Sequence, residues 1–477
     1  MWLLIPASLG LAGLWYHEWW RDEAYTWLVV NASDSLRELF QNLGYNGHPR
    51  AYYIPIWILH KLWKSPAALS VSNLGFTIGA TLFLLWSAPI TRTQAALFSV
   101  GFYPLYQYGI ISRSYSVILF LLFLYCHLRS KCPELILARY LVLAALAQIH
   151  LISMAVAAVL LLVDLGVNPR SLLRDKRAIT GVATVILSVA LTTWQMLPGN
   201  AHIPHNEHRA VSSELVGFSN AFLPNFGIMS REGTAARYQR RLGFILFLVS
   251  LALLWSRKKA CVAYVLLLGT LFLICTLVYS GFRWHHGLYF IFLIVAIWLF
   301  DDKAMAGMRG DAFTFLLLVQ LAVSFYAQIS DALLPYSDGR IAAKLLHDRS
   351  LENLPMLGLN LLGNRQAPQF QWEVDGLQPI LMELNGKGSY DGITGSFDSF
   401  DRHYTLPEFP VMSFAETDRS IREVTLQFGG TAVVVLLRHS KFDTDAVLPS
   451  SLHKIADLPE TIDYGETYSI YLSSAQN

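Results

Sequence analysis

The residues that could do chemistry in this chain gather near its beginning, at Arg21-Asp22-Glu23, and again at Asn46-Gly47-His48-Pro49-Arg50. Both groups flank apolar sequence: the first follows the run Met1–Tyr16, and the second leads into the stretch 50–63, with Tyr53 near its start. Polar groups beside a membrane are costly to hold unless they pair or work. Two adjacent carboxylates, an arginine and a His-Pro turn on one side of a bilayer therefore form a candidate site. A carboxylate there can act as general base toward a hydroxyl, and the cations can hold an anionic group such as phosphate. A solvated loop at a membrane edge is the plainer reading of the same charges, and both stay open at this point.

Further along, Arg113 stands between two apolar runs in Ile111-Ser112-Arg113-Ser114-Tyr115. An arginine so placed either snorkels to the interface or serves a site. His150, in Ala147-Gln148-Ile149-His150-Leu151, is either a satisfied core residue or part of the same face. Gly281-Phe282-Arg283-Trp284-His285-His286 opens a late apolar segment, which puts Arg283 and His285 at the outer interface. A guanidinium stays charged and forks onto phosphate oxygens, while an aromatic-belt anchor is the alternative. The loop 198–240 holds His202, His205, Glu207, His208 and Arg209. These include zinc and manganese ligand types, but the run has no established ligand spacing, and Pro204 breaks any helix that would align them. A gating or acceptor-facing loop is the preferred reading. Arg231, Arg237, Arg240 and Arg241 follow it and suit anionic head groups or a donor phosphate. No cofactor is required by these groups; a divalent metal is possible and not favoured.

The elements that must position these residues are apolar. The chain is 54% hydrophobic and 15% charged, with a mean hydropathy of +0.41; a soluble enzyme carries about 25% charged residues. Apolar segments fall near 1–16, 50–63, 69–88, 94–112, 115–128, 135–149, 151–166, 178–197, 241–256, 260–280, 286–300 and 312–330. A full span needs roughly 20 residues, so some fall short and about 11–12 segments are expected to build a polytopic α-helical membrane protein. Arg92, Arg129/Lys131, Arg170–Arg177, Arg257–Lys259 and Lys303/Arg309 are the basic connections. All five lie on the cytoplasmic face if 50–63 dips in and returns rather than crossing. That solution places 17–49, Arg113, His150, 198–240, Arg283 and the tail outside. The segment carrying Leu36, Leu39, Phe40 and Leu43 at helical spacing then lies on the bilayer surface.

Composition changes near residue 331. Residues 1–330 carry a net charge of +11 and residues 331–477 a net charge of −9. The basic excess belongs to membrane loops, and nucleic acid is not implied. The expected division is a transmembrane catalytic domain over 1–330 and a soluble extracytoplasmic α/β domain over 331–477. Met356–Leu362 and Thr431–Leu437 read as buried strands, with helices at Arg340–Asp348 and Asp418–Phe428. All four cysteines precede this tail, so no disulfide framework is available to it, which fits a bacterial envelope. Met1–Tyr16 lacks a basic leader and a small-residue cleavage site, so it is expected to stay as the first helix.

The order of an Asp-Glu pair after helix one, an amphipathic loop, and His48-Pro49-Arg50-Ala51-Tyr52-Tyr53 entering the next apolar segment resembles the GT-C superfamily of membrane glycosyltransferases. The likeness is to its protein O-mannosyltransferase and lipid A aminoarabinose transferase branch. It implies an inverting transfer of a hexosyl or pentosyl group from a polyprenyl-phosphate donor to an acceptor hydroxyl on a glycan, lipid or protein. The site would face outward, in a bacterial inner membrane, among membrane lipids. Asp22 would inherit the catalytic base, with Glu23 orienting it or the acceptor. Arg50, His48, Arg113, His150, Arg283, His285 and Tyr53 would bind donor phosphate or substrate. The family's Lys-Pro-Pro-Leu reads His48-Pro49-Arg50-Ala51 here, so Arg50 or His48 supplies the cation. The main alternative is a transporter or flippase of lipid-linked saccharides, which should show internal repetition and helices broken at mid-depth. No repeat is found, and the polar residues favour one face.

Overall fold

The computed structural model describes residues 2–45, 48–167, 175–196, 211–226, 234–300, 305–364, 367–385, 388–392, 395–400, 411–437, 448–449, 451–462 and 466–474. Helices occupy nearly every expected apolar segment. They are α1 Leu4–Tyr16, α2 Arg21–Asn31, α3 Leu36–Asn42, α4 Tyr53–Leu62, α5 Ala67–Ser87, α6 Arg92–Ser99, α7 Tyr115–Lys131, α8 Ile136–Ala147 and α9 Leu151–Val167. After these come α10 Lys176–Met196, α11 Val211–Phe222, α12 Thr234–Leu254, α13 Lys258–Leu277, α14 Arg283–Phe300 and α15 Gly307–Leu333. Among the described residues α5, α10, α13, α14 and α15 are long and apolar enough to cross a membrane. The chain is a multi-pass membrane protein.

Two segments depart from a simple span. Helix α4 has ten residues, about 15 Å at 1.5 Å per residue, half the roughly 30 Å hydrocarbon core. It packs against α2: Trp57 Nε1 donates to the Ser33 carbonyl at 2.9 Å, and His60 Nε2 meets Asn31 Oδ1 at 3.1 Å. The stretch 94–112, expected as one segment, is broken after α6. A Cβ at Gly101 would be tightly placed, 3.0 Å from the Phe98 carbonyl oxygen and 3.2 Å from Gln320. Pro104 follows, removing a backbone donor. The chain continues as a π-helical segment, Phe102–Ile110, all nine residues of it buried. Such wide turns are rare and concentrate at functional sites.

The described basic connections, at Arg92, Arg129, Arg257 and Arg309, meet at one end of the bundle. Gln94 donates to the carbonyls of Met305 and Gly310, Arg129 to that of Leu299, and Arg309 twice to that of Leu253. Arg129 also pairs with Asp164 at 2.7 Å. The Asp-Glu pair lies at the opposite end.

Beyond α15 the chain forms a sheet with helices on it: α16 Gly339–Asp348, α17 Gln378–Glu383 and α18 Phe414–Gln427. The strands are β1 Met356–Asn364, β2 Ala367–Trp372, β3 Ser389–Asp391, β4 Ser396–Asp398, β5 Met412–Ser413, β6 Thr431–Leu437, β7 Leu452–Asp457 and β8 Tyr468–Ser474, in the order β4-β3-β1-β6-β8-β7 with β2 and β5 off that path. Strand β6 runs parallel to β1 and antiparallel to β8. Val433, Val435 and Leu437 face a core continuous with that of the membrane helices, while Ala432, Val434 and Leu436 face Ile421 and Val424 of α18. Both faces are covered, which is why β6 reads as an unbroken apolar run. The expected α/β unit is present, joined to the bundle through a shared core.

Asn73 of α5 holds the π-helical segment. Its Nδ2 lies 2.6, 3.1 and 3.2 Å from the carbonyl oxygens of Tyr108, Gly109 and Ile111, and Ser116 donates to its Oδ1. Replacing Asn73 by Ala strips these buried carbonyls of a donor and should cost about 1–3 kcal/mol. Denaturant unfolding in detergent measures this; unchanged stability would show that the amide contributes nothing.

Candidate active site

Asp22 and Glu23 open α2 and turn opposite ways. Glu23 is completely buried. Its carboxylate accepts from His17 Nε2 at 2.9 Å, from the Trp20 backbone N–H at 3.1 Å, and from the Ser112 backbone N–H. The other imidazole nitrogen, His17 Nδ1, donates to Asp331 Oδ2 at 2.7 Å, which also accepts from the Tyr106 hydroxyl at 3.0 Å. Burial works against a charged His17, but Asp331 and Glu23 outweigh it and raise its pKa to about 10. An imidazolium between two carboxylates thus ties the ends of α1, α2 and α15 together, and Glu23 extends that tie to Ser112.

The next residue is Arg113, and Ser112 delivers it to Asp22: Nη1 stands 2.6 Å from Asp22 Oδ2. Its guanidinium carbon lies 4.9 Å from the Trp20 ring centre, 5.1 Å from that of Trp284 and 5.9 Å from that of Tyr115. Aromatic faces hold a cation without neutralising it. The pair opens onto a pocket lined also by Tyr25, Thr26, His48, Tyr52, Tyr53 and His150. Three sites on or beside this wall have buried polar atoms with no hydrogen-bond partner: His48 Nδ1, the Tyr52 hydroxyl and the Tyr115 hydroxyl. Orphaned polar atoms at a pocket are what a polar ligand would satisfy.

The histidines here are neutral. Burial and the Arg113 guanidinium push His48 down to about 4. Burial, His48 and Arg113 push His150 well below the usual histidine range. The His150 Nδ1 accepts from the Ile152 backbone N–H at 3.2 Å, so the proton of the neutral ring belongs on Nε2. The two rings lie 5.2 Å apart.

Comparison with solved structures places this architecture. The chain matches the crystal structure of ArnT from Cupriavidus metallidurans in the apo state, with a TM-score of 0.52 at 12% identity over 99% of this chain and 98% of that one. It also matches the same protein bound to undecaprenyl phosphate, with a TM-score of 0.54 at 11% identity over 100% and 98% of the two chains. The fold is that of ArnT. No family model and no curated protein matches the sequence. The likeness is therefore one of architecture, carried by elements whose residues are mostly different.

Within this fold, Asp22, His48, Tyr53, Arg113 and His150 line one pocket. Glu23 lies behind it, reaching Arg113 through Ser112. His285 packs one layer further back, its ring 6.0 Å from that of His150 and its Nδ1 accepting from the Phe282 N–H. Arg50 borders a separate open groove with Leu36, Arg37 and Phe40. The Arg283 guanidinium is turned inward, donating to Gln107 Oε1, the Asn225 carbonyl and the Tyr336 hydroxyl at 3.1–3.3 Å. Among the described residues, the cation lining the pocket is Arg113. Arg237, Arg240 and Arg241 are exposed, whereas His202, His205, Glu207, His208, Arg209 and Arg231 fall outside the described residues. Among the described residues no three His, Cys, Asp or Glu side chains are placed to hold a metal. Sequence reasoning missed His17, Asp331 and Tyr52. A histidine beside an Asp-Glu pair and a lone acid ending the last apolar segment were the available signals.

The raised pKa of His17 has a consequence for stability. Below the ordinary value of about 6.5 both folded and unfolded states carry the proton, and the full contribution is present. As pH rises toward about 10, the unfolded chain loses its proton first, and the contribution drains away. The melting temperature in detergent should fall between pH 7.5 and 10, and His17→Gln should flatten that slope. A wild-type slope equal to the variant's would remove the imidazolium from the account.

Proposed function

We propose that this chain is an inverting glycosyltransferase that moves a hexosyl or pentosyl group from a polyprenyl-phosphate donor to an acceptor hydroxyl. The observation that carries the reading is the Asp22–Arg113 pair at 2.6 Å, opening onto a pocket of unsatisfied polar groups. In ArnT the same fold binds undecaprenyl phosphate, which supports the lipid class of the donor. The basic connections gather at the end opposite the pocket, which supports an outward-facing site in a bacterial inner membrane. The acceptor, on a glycan, lipid or protein, approaches from that side.

Arg113 takes the donor phosphate, for which its planar fork is suited. The phosphate draws the guanidinium away from Asp22 and frees the carboxylate. Asp22 then accepts the acceptor's hydroxyl proton as that oxygen bonds to the anomeric carbon. The carbon–oxygen bond to phosphate breaks, its electron pair leaves with the polyprenyl phosphate, and attack from the opposite face inverts the centre. Arg113 stabilises the charge that develops on the leaving group. Tyr52 and neutral His48 and His150 hydrogen-bond the sugar, and the Tyr52 and Tyr53 rings flank it. Arg50, read from the sequence as a phosphate or substrate ligand, borders an open groove, and Arg283, read the same way, braces the interior.

Asp22→Asn should lower transfer from radiolabelled polyprenyl-phosphate sugars by about 10²–10⁴-fold without loss of fold. Arg113→Lys should lower it too, since an ammonium neither forks onto phosphate nor stacks on two indoles as a guanidinium does. A folded Asp22→Asn protein that transfers at the wild-type rate would sink the assignment.

A further inference from the structure

We propose that Glu466, in the C-terminal sheet domain, is a positioning residue for Asp22. The first N–H groups of a helix lack partners within it. In α2 the Arg21 N–H donates to Glu466 Oε1 at 2.9 Å, a cap supplied from 445 residues away. The Arg21 side chain reinforces it, with Nε 3.7 Å from the same oxygen and Nη1 3.4 Å from Asp375 Oδ2. Glu466 is completely buried. A carboxylate there is favoured by the helix dipole as well as by the arginine.

The cap is itself fixed. The Glu466 carbonyl accepts from the Asp338 N–H at 3.1 Å, ahead of α16, and the Tyr468 hydroxyl donates to the Gly376 carbonyl at 2.8 Å. Helix α17 packs along α2, and Tyr25, on the pocket wall, meets Phe400 edge-on at 6.3 Å. The residue after Arg21 is Asp22. Holding the first turn of α2 against the sheet domain therefore holds the Asp22 carboxylate against Arg113 and the pocket. A displacement of about 1 Å at a reacting group can cost on the order of 10²-fold in rate. The sheet domain is part of the active-site frame.

This inference rests on Asp22 being the base. The test compares full-length wild type with Glu466→Ala and Glu466→Gln, reading kcat and donor KM for transfer together with hydrogen exchange. Glu466→Ala should lower kcat about tenfold or more while donor KM changes less than about threefold. Amide exchange should speed up in the first turn of α2 and stay unchanged in the sheet. Glu466→Gln, which keeps an acceptor for the Arg21 N–H, should fall between. A wild-type kcat in Glu466→Ala overturns the proposal, as does loss of exchange protection across 339–474, which would make Glu466 a residue of the domain's own fold. If wild type transfers no sugar, the glycosyltransferase reading fails, and unchanged exchange at α2 would still overturn the cap separately.

Discussion

The structure depends on one buried imidazolium. Glu23 and Asp331 are carboxylates from helices 308 positions apart in the chain, and neither is exposed enough to be stabilised by water. Burying a carboxylate is costly unless it is paired and hydrogen-bonded. His17 pairs with both, and the remaining negative charge is spread over donors: the Trp20 and Ser112 amides on Glu23, the Tyr106 hydroxyl on Asp331. Four pieces of chain are thereby located relative to one point. Two of them, the start of α2 and the turn at Ser112, carry Asp22 and Arg113. The 2.6 Å contact at the pocket is set one residue away from this hub on each side.

The second constraint comes from the bilayer. A chain leaving a helix among membrane segments must keep its carbonyls bonded. The π-helical segment would leave those of Tyr108, Gly109 and Ile111 short of donors, and the Asn73 amide supplies one. This lets the chain turn at Ser112 and present a guanidinium without opening an unsatisfied gap beneath it. Trp20 and Trp284 then cover the cation on its apolar side. From the other side the sheet domain closes on α2 through Arg21 and Phe400, so the site is framed by both halves of the chain.

What was legible in the sequence follows from the range of the forces involved. Apolar runs report burial locally, so helix positions and strands such as Thr431–Leu437 could be read directly. Asp22, Arg113 and His150 could be grouped because each interrupts apolar sequence at the same predicted face. Side-chain direction is not local. Arg50 and Arg283 stand at the expected interface, yet one borders an open groove and the other is drawn inward by Gln107, Asn225 and Tyr336. Both choices depend on partners remote in sequence. The break within 94–112 was signalled by Gly101 and Pro104 but hidden by uniform hydropathy. The His17–Asp331 bond had no local signal except two polar residues at apolar boundaries.

The pairing of Asp22 with Arg113 also bears on how the proposed reaction would be ordered. A carboxylate oxygen engaged by a guanidinium is not free to meet an acceptor hydroxyl. Asp22 alone in the pocket would be ready to activate any hydroxyl, including water, whenever a donor sugar was near. Engaged by Arg113, it meets a hydroxyl only when something else occupies the guanidinium. A donor phosphate is the group most able to do so, since it offers several oxygens to a planar fork. The aromatic faces of Trp20, Trp284 and Tyr115 make the exchange feasible, for they hold the cation in place without consuming its hydrogen-bond donors. In this reading donor arrival and activation of the base are one event, and the neutral state of His48 and His150 keeps competing cations away from the phosphate while it happens.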